Sequence, residues 1–113
     1  MKTMLTLLAL GTLLVLPLGC ISGSTGCDFR TDSVNGPEPR CQERNGLQGG
    51  STFKATCSAL KGTAHDDGCP KEGIVSGCDI SGDGTVIDWY YAPKTVEEVA
   101  KICEDDKGKV ISP

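Results

Sequence analysis

Residues 73 to 91, GIVSGCDI-SGDG-TVIDWYY, decide the fold of this chain. β-Branched and aromatic residues lie on both sides of an Asp-Gly turn at 83 and 84, which is the usual local signal of an antiparallel hairpin. On the second strand, the apolar set Ile87, Trp89 and Tyr91 alternates with a more polar set that includes Tyr90. We expect the apolar set to face the helices of the domain, with Trp89 in the core and Tyr90 as a surface contact.

Helix signals flank the hairpin. Upstream, Phe53, Cys57 and Leu60 recur at helical spacing after a Ser or Thr cap at 51 or 52, and Gly62 is predicted to end that helix in the left-handed region. Downstream, Thr95 and Glu98 form a capping-box pattern. The apolar face of this second helix holds Val96, Val99, Ile102 and Cys103. The sequence therefore predicts an α+β fold, a small antiparallel sheet packed on two short helices.

The two predicted helices end alike. CSALKG at 57–62 and CEDDKG at 103–108 lie 46 residues apart, and each places a cysteine one turn before a Lys-Gly stop. A short extended piece follows each stop, at 63–65 and at 109–112. So short a pattern arises by duplication or by chance, and the sequence leaves both open.

Disulfides are predicted to hold this domain together. Five aromatic residues are too few for a large core, and a small domain buries a low fraction of its surface. Setting Cys20 aside leaves six cysteines, which allow fifteen pairings. We expect Cys27–Cys41, Cys57–Cys69 and Cys78–Cys103, with Cys57–Cys103 as the chief rival. No C-x-x-C spacing occurs in the sequence, which argues against zinc and redox sites.

The first twenty residues, MKTMLTLLALGTLLVLPLGC, predict export. Lys2 precedes an uncharged apolar run that is too short and too lightly flanked for a membrane span, as in a secretory signal peptide. The run ends in Leu18-Gly19-Cys20, which resembles the cleavage site of bacterial lipoprotein precursors, although Pro17 stands where that family usually has leucine. The resemblance implies that Cys20 is diacylated and becomes the mature N-terminus. The alternative is an ordinary cut after Ser22.

The predicted organisation has four parts: a signal peptide (1–19), a lipid-anchored tether (20–26), a loop-rich segment (27–50) and a cysteine-rich α+β domain (51–113). Without residues 1–19 the chain keeps 10 basic and 15 acidic residues, a net charge of −5. An acidic chain with no basic cluster is not expected to bind nucleic acid or to dock electrostatically on anionic lipid.

Two motifs contain residues of the types found in metal and catalytic sites. Asp79, Ser81 and Asp83 match the first ligand positions of an EF-hand calcium loop, but Tyr90 stands where the bidentate glutamate belongs, so a hairpin turn is favoured. His65, the only histidine, precedes two aspartates, and a solvated turn is favoured over a catalytic role. We therefore predict no catalytic residue, no metal and no cofactor.

These features predict a lipid-anchored protein of the bacterial outer membrane or cell surface, with a non-enzymatic binding or structural role. Ile21 rather than aspartate after the cysteine favours the outer membrane, by resemblance to lipoprotein sorting. The expected partners are the membrane, through the lipid, and an unidentified protein or glycan. The alternative is a freely secreted cysteine-rich effector or inhibitor, and an enzyme is the third and least favoured class.

Overall fold

The structure is a computed structural model that describes residues 23 to 113, so the predicted signal peptide and Cys20 lie outside the described residues. Its α-helices are α1 (Ser51–Ala59) and α2 (Val96–Asp105), and a short 3₁₀ turn occupies Gly46–Gln48. Its strands are β1 (Ser24–Asp28), β2 (Arg40–Asn45), β3 (Thr63–His65), β4 (Ile74–Asp79), β5 (Val86–Tyr91) and β6 (Lys109–Ile111).

All six strands form one antiparallel sheet in the order β3-β1-β2-β5-β4-β6. The predicted α+β class is confirmed, and the predicted hairpin is β4–β5. The loop prediction for 27–50 was wrong where β1 ends and where β2 runs, and the predicted tether already enters β1 at Ser24. β2 was not predicted, because its sequence, RCQERN, is mostly polar.

The sheet is made of two ββαβ units with matching registers. A shift of 46 residues carries β2 (Arg40–Asn45) onto β5 (Val86–Tyr91) and β3 onto β6. A shift of 51 carries Cys27 onto Cys78, because the β1–β2 connection (29–39) is longer than the β4–β5 connection (80–85). Accordingly, Cys27 pairs with Gln42 and Ala64, and Cys78 pairs with their equivalents.

Gln42 and Asp88 are equivalent positions of the two units, and they pair with each other between β2 and β5. A pseudo-two-fold axis therefore passes between these two residues. The register favours a duplicated unit over chance, the choice that the sequence left open.

Three disulfides close the fold: Cys27–Cys57, Cys41–Cys69 and Cys78–Cys103. The prediction of Cys78–Cys103 is confirmed, and the other two predicted pairs are wrong. Cys41 pairs in register with Asp28, so Cys27 points to the opposite face of the sheet and cannot reach Cys41. Cys57 and Cys69 are likewise separated, because they bond to cysteines on opposite faces.

Both helices are attached to the same face of the sheet, called here the helix face. Cys27 and Cys78 lie in one cross-strand row, and their disulfides lead to α1 and α2. Alternation from that row puts Trp89 on the opposite face, in a cluster with the Cys41–Cys69 disulfide. Trp89 is in the core as expected, but the prediction that its set faces the helices was wrong.

Tyr90 is the residue of that strand that packs against α2, in a cluster with Val99 and the Cys78–Cys103 disulfide. It is 6% exposed, so its predicted role as a surface contact is contradicted. The prediction took the more polar side of β5 to be exposed, but this strand is buried on both faces.

At the C-terminal ends of α1 and α2, a lysine rather than a glycine has the left-handed backbone conformation. Lys61 (φ 63°) and Lys107 (φ 56°) take the left-handed conformation that was assigned to a glycine. The glycines after them are needed for space instead: a Cβ on Gly62 or Gly108 would run into the sulfurs of the neighbouring disulfide. The capping box of Thr95 and Glu98 is present as predicted, whereas α1 begins after Gly50 without a side-chain cap.

Within residues 23–113, no helix is long and apolar enough to cross a bilayer.

Candidate functional site

The calcium-like sequence forms a self-contained turn. The Asp79 carboxylate accepts hydrogen bonds from Ser81 Oγ (2.7 Å) and from the backbone N–H groups of Gly82 (3.0 Å) and Gly84 (2.9 Å). Asp83 accepts from the backbone and hydroxyl of Thr85 in the same way. These oxygens serve the turn, as favoured from the sequence, and residues 23–113 hold no group of three or more acidic, His or Cys residues arranged for a metal.

His65 lies on β3 rather than in a solvated turn. Its Nε2 is 3.1 Å from Asp28 Oδ2, and Asp28 also receives a bidentate pair of hydrogen bonds from the Arg30 guanidinium (2.8 and 3.0 Å). Arg30 in turn lies over the Tyr91 ring at 4.1 Å. The sequence could not bring these groups together, because β1 was not predicted. Asp28 is engaged by the Arg30 guanidinium and by the His65 ring, which suits an ion pair with Arg30 and a side-chain contact that holds the edge strand β3.

The Asp28→Asn substitution should remove an acid-sensitive part of the stability. Burial raises the pKa of Asp28, but hydrogen bonds from the side chain and backbone of Arg30 and from His65 outweigh it and hold that pKa below the usual value. A carboxyl with a lowered pKa stabilises the fold above the unfolded pKa of about 4, and this contribution is lost as pH falls further.

At pH values under about 4, we expect the free energy of unfolding to decrease more steeply with falling pH in the wild type than in Asp28→Asn. Urea unfolding followed by Trp89 fluorescence at each pH measures this slope. Asp32→Asn, in the exposed β1–β2 connection, is the control. Equal slopes for the wild type and Asp28→Asn would contradict the role of the ion pair.

A second buried carboxylate organises the connection between β3 and β4. Glu43 Oε1 accepts from the backbone N–H of Cys69 (2.9 Å) and from Lys71 Nζ (3.1 Å), and its Oε2 faces Trp89 Nε1 at 3.4 Å. Lys71 also lies 5.0 Å above the Trp89 ring. Glu43 therefore fastens this connection over the face opposite the helices, together with the Cys41–Cys69 disulfide.

The helix face carries a polar surface between the helices, called here the central trough. α1 makes its main contacts with β1 and β3, and α2 with β4 and β6, so β2 and β5 lie between the helices. Alternation puts the following side chains on the trough: Arg40, Gln42 and Arg44 of β2, and Val86, Asp88 and Tyr90 of β5.

Hydrogen bonds link most of the trough. Asp88, 6% exposed, accepts from Gln42 Nε2 (3.0 Å) and Arg40 Nη1 (3.3 Å), and Arg40 also reaches Glu38. Arg44 donates from Nε to Gln42 Oε1 (3.1 Å). The trough is therefore an ordered network around the pseudo-two-fold axis.

Arg44 is the cation of the trough best placed to meet a ligand. Its guanidinium lies over the Phe53 ring of α1 at 4.6 Å and forms no salt bridge with any residue in the described part of the chain. A stacked guanidinium with unengaged terminal nitrogens suits a carboxylate or phosphate of a partner. The one signal of this site in the sequence is the placement of Arg40, Gln42 and Arg44 at every second position of RCQERN.

A depression of about 240 Å³ adjoins the trough beside α2 and is lined in part by Arg40, Tyr90, Lys94 and Ile102. Burial raises the pKa of Tyr90 to about 12, so this hydroxyl stays neutral in the physiological range. Pockets for drug-sized ligands usually measure about 300 to 1,000 Å³. The depression is thus suited to a side chain or small group of a partner rather than to enclosing a substrate.

The disulfides indicate where the folded domain works. All six cysteines of residues 23–113 are paired, which fits an oxidising extracellular or envelope environment. No protein-family model, curated protein or solved structure matches the chain.

Proposed function

We propose that this protein is a lipid-anchored component of the bacterial envelope or cell surface that acts by binding or as a structural element. The observation that carries the proposal is the odd number of cysteines: the six cysteines of residues 23–113 pair among themselves, and none of them is left for Cys20. It stands directly behind the apolar run of a signal-like segment, in the Leu-Gly-Cys context that resembles a lipoprotein cleavage site. Acylation gives this thiol a role.

A binding role rather than a catalytic one is supported by the polar side chains, because those that could do chemistry are already held in hydrogen bonds within the domain. His65 and Asp28 are engaged with each other and with Arg30, and Glu43 is occupied by the β3–β4 connection. The sheet packed on its two helices presents the central trough, with Arg44 as a contact for an anionic group of a protein or glycan. Ile21 favours the outer membrane as the place of anchoring.

The Cys20→Ala substitution should convert the protein from membrane-bound to soluble. Wild type expressed with its signal should carry acyl chains on Cys20, detected by intact mass, and should enter the detergent phase on phase partitioning. Cys20→Ala should lack the acyl mass and move to the aqueous phase, since stable membrane binding requires these chains.

Ser22→Ala is the matched control, because it keeps a small residue at the alternative cleavage site and leaves the lipid site intact. A wild type that is unmodified and begins at residue 23 would contradict the anchor and favour the freely secreted effector or inhibitor. A hydrolytic activity of the folded protein that is lost in His65→Ala would contradict the non-enzymatic role.

A further inference from the structure

The first residues of the domain are fixed to one end of the sheet. The carbonyl of Gly23 accepts a hydrogen bond from the Gly46 N–H (3.0 Å), and Ser24 Oγ donates to Asn45 Oδ1 (2.5 Å). Gly46 opens the 3₁₀ turn that follows β2. The point at which the chain enters the fold is therefore locked beside this turn.

The chain between this point and Cys20 is short. Three residue steps separate Cys20 from Gly23, and an extended chain spans at most about 3.5 Å per residue, or about 10 Å here. β1 itself carries the chain about 17 Å away, at about 3.3 Å per residue, to the opposite end of the sheet. If Cys20 is held in a bilayer, the end with the 3₁₀ turn must lie near the bilayer surface.

The 3₁₀ turn itself has an uncharged surface that exposes an apolar side chain. Leu47, at the centre of the turn, is 84% exposed, more than any other large hydrophobic residue in the described part of the chain. The stretch NGLQGGSTF from 45 to 53 carries no charge. A depression of about 330 Å³ lies beside Leu47; it is lined in part by glycines 23, 49 and 50 and also by Lys54 and Asp66, which form an ion pair with each other.

We infer that the 3₁₀ turn is a membrane-contact surface, with Leu47 inserted into the interface of the bilayer that holds the lipid on Cys20. This inference rests on the proposed lipid anchor. A single leucine binds a membrane weakly, but the short tether gives the contact a high effective concentration, so a weak contact suffices to fix the orientation. The domain thereby directs the β1–β2 connection, at the far end of the sheet, away from the membrane.

Quenching by brominated lipid tests the orientation. Acylated full-length Leu47→Trp, reconstituted in phosphatidylcholine vesicles, should lose emission when the acyl chains are brominated. Val34→Trp is the matched control, because Val34 is 56% exposed in the β1–β2 connection at the far end of the sheet. Val34→Trp and wild type, whose Trp89 is 6% exposed, should give the same emission in both kinds of vesicle.

Flotation of the same samples separates the two proposals. Protein that floats but shows no quenching of Leu47→Trp, or equal quenching of Leu47→Trp and Val34→Trp, overturns the contact surface and leaves the anchor intact. Protein that is unmodified at Cys20 and does not float overturns both. Unchanged thermal unfolding of the two variants shows that the added tryptophans do not disturb the fold.

Discussion

Replacing Cys78 and Cys103 together with alanine should lower the free energy of unfolding by about 3–4 kcal/mol. This disulfide closes a loop with a sequence separation of 25, and it is buried in a cluster with Tyr90 and Val99. Removing it frees the unfolded chain and also leaves a gap under α2. Urea unfolding at neutral pH, followed by the fluorescence of Trp89, measures the change.

The control is Cys20→Ala, which removes no disulfide and should leave the unfolding curve of the domain unchanged. The equivalent double variant at Cys27 and Cys57 should lose a similar amount, because its sequence separation is 30 and it joins the equivalent strand and helix. A loss below about 1 kcal/mol would mean that the unfolded state gains little freedom from the missing link.

Gly62→Ala and Gly108→Ala should each lower the free energy of unfolding by about 3 kcal/mol, at the upper end of the range for overpacking a core. A Cβ on Gly108 would collide with Cys78 Sγ and lie 3.2 Å from Cys103 Sγ. A Cβ on Gly62 would collide with Cys27 Sγ and lie 2.9 Å from Cys57 Sγ. These sulfurs cannot move aside, because each is bonded and buried.

Gly23→Ala is the matched control for this pair, since a Cβ there meets nothing within 4 Å. Thermal unfolding of the three variants compares them directly, and thiol titration of the native proteins shows whether the disulfides still form. Stabilities of Gly62→Ala and Gly108→Ala close to that of Gly23→Ala would show that the helix ends have room for a methyl group.

The sequence predicted the elements whose signals are local. The β4–β5 hairpin and the Thr95 capping box were predicted, because turn and cap chemistry marks them. The Cys78–Cys103 pair was predicted because it joins the first strand of that hairpin to the second helix. β2 was missed because Arg40, Gln42 and Arg44 belong to a polar trough, and so the strand lacks the apolar alternation of an ordinary two-faced strand.

The sequence also failed to predict which face of the sheet each side chain occupies, and this error has a single physical cause. Which side of a sheet a residue occupies depends on the register between strands, and a shift of one residue reverses every assignment. Without β1 and β2, nothing in the sequence could tell that Cys27 and Cys41 lie on opposite faces. For the same reason, the sequence did not reveal the contact of Asp28 with His65 or the place of Arg44 in the trough.

The three disulfides do not join the two halves of the domain to each other. Cys27–Cys57 lies within the first ββαβ unit, Cys41–Cys69 ties that unit to the connection after β3, and Cys78–Cys103 lies within the second unit. No cross-link bridges the units among residues 23–113. A protease that cleaved after Lys71 would produce two fragments, each closed by its own disulfides, which would be held together without a covalent link, chiefly by the β2–β5 ladder and the side chains beside it.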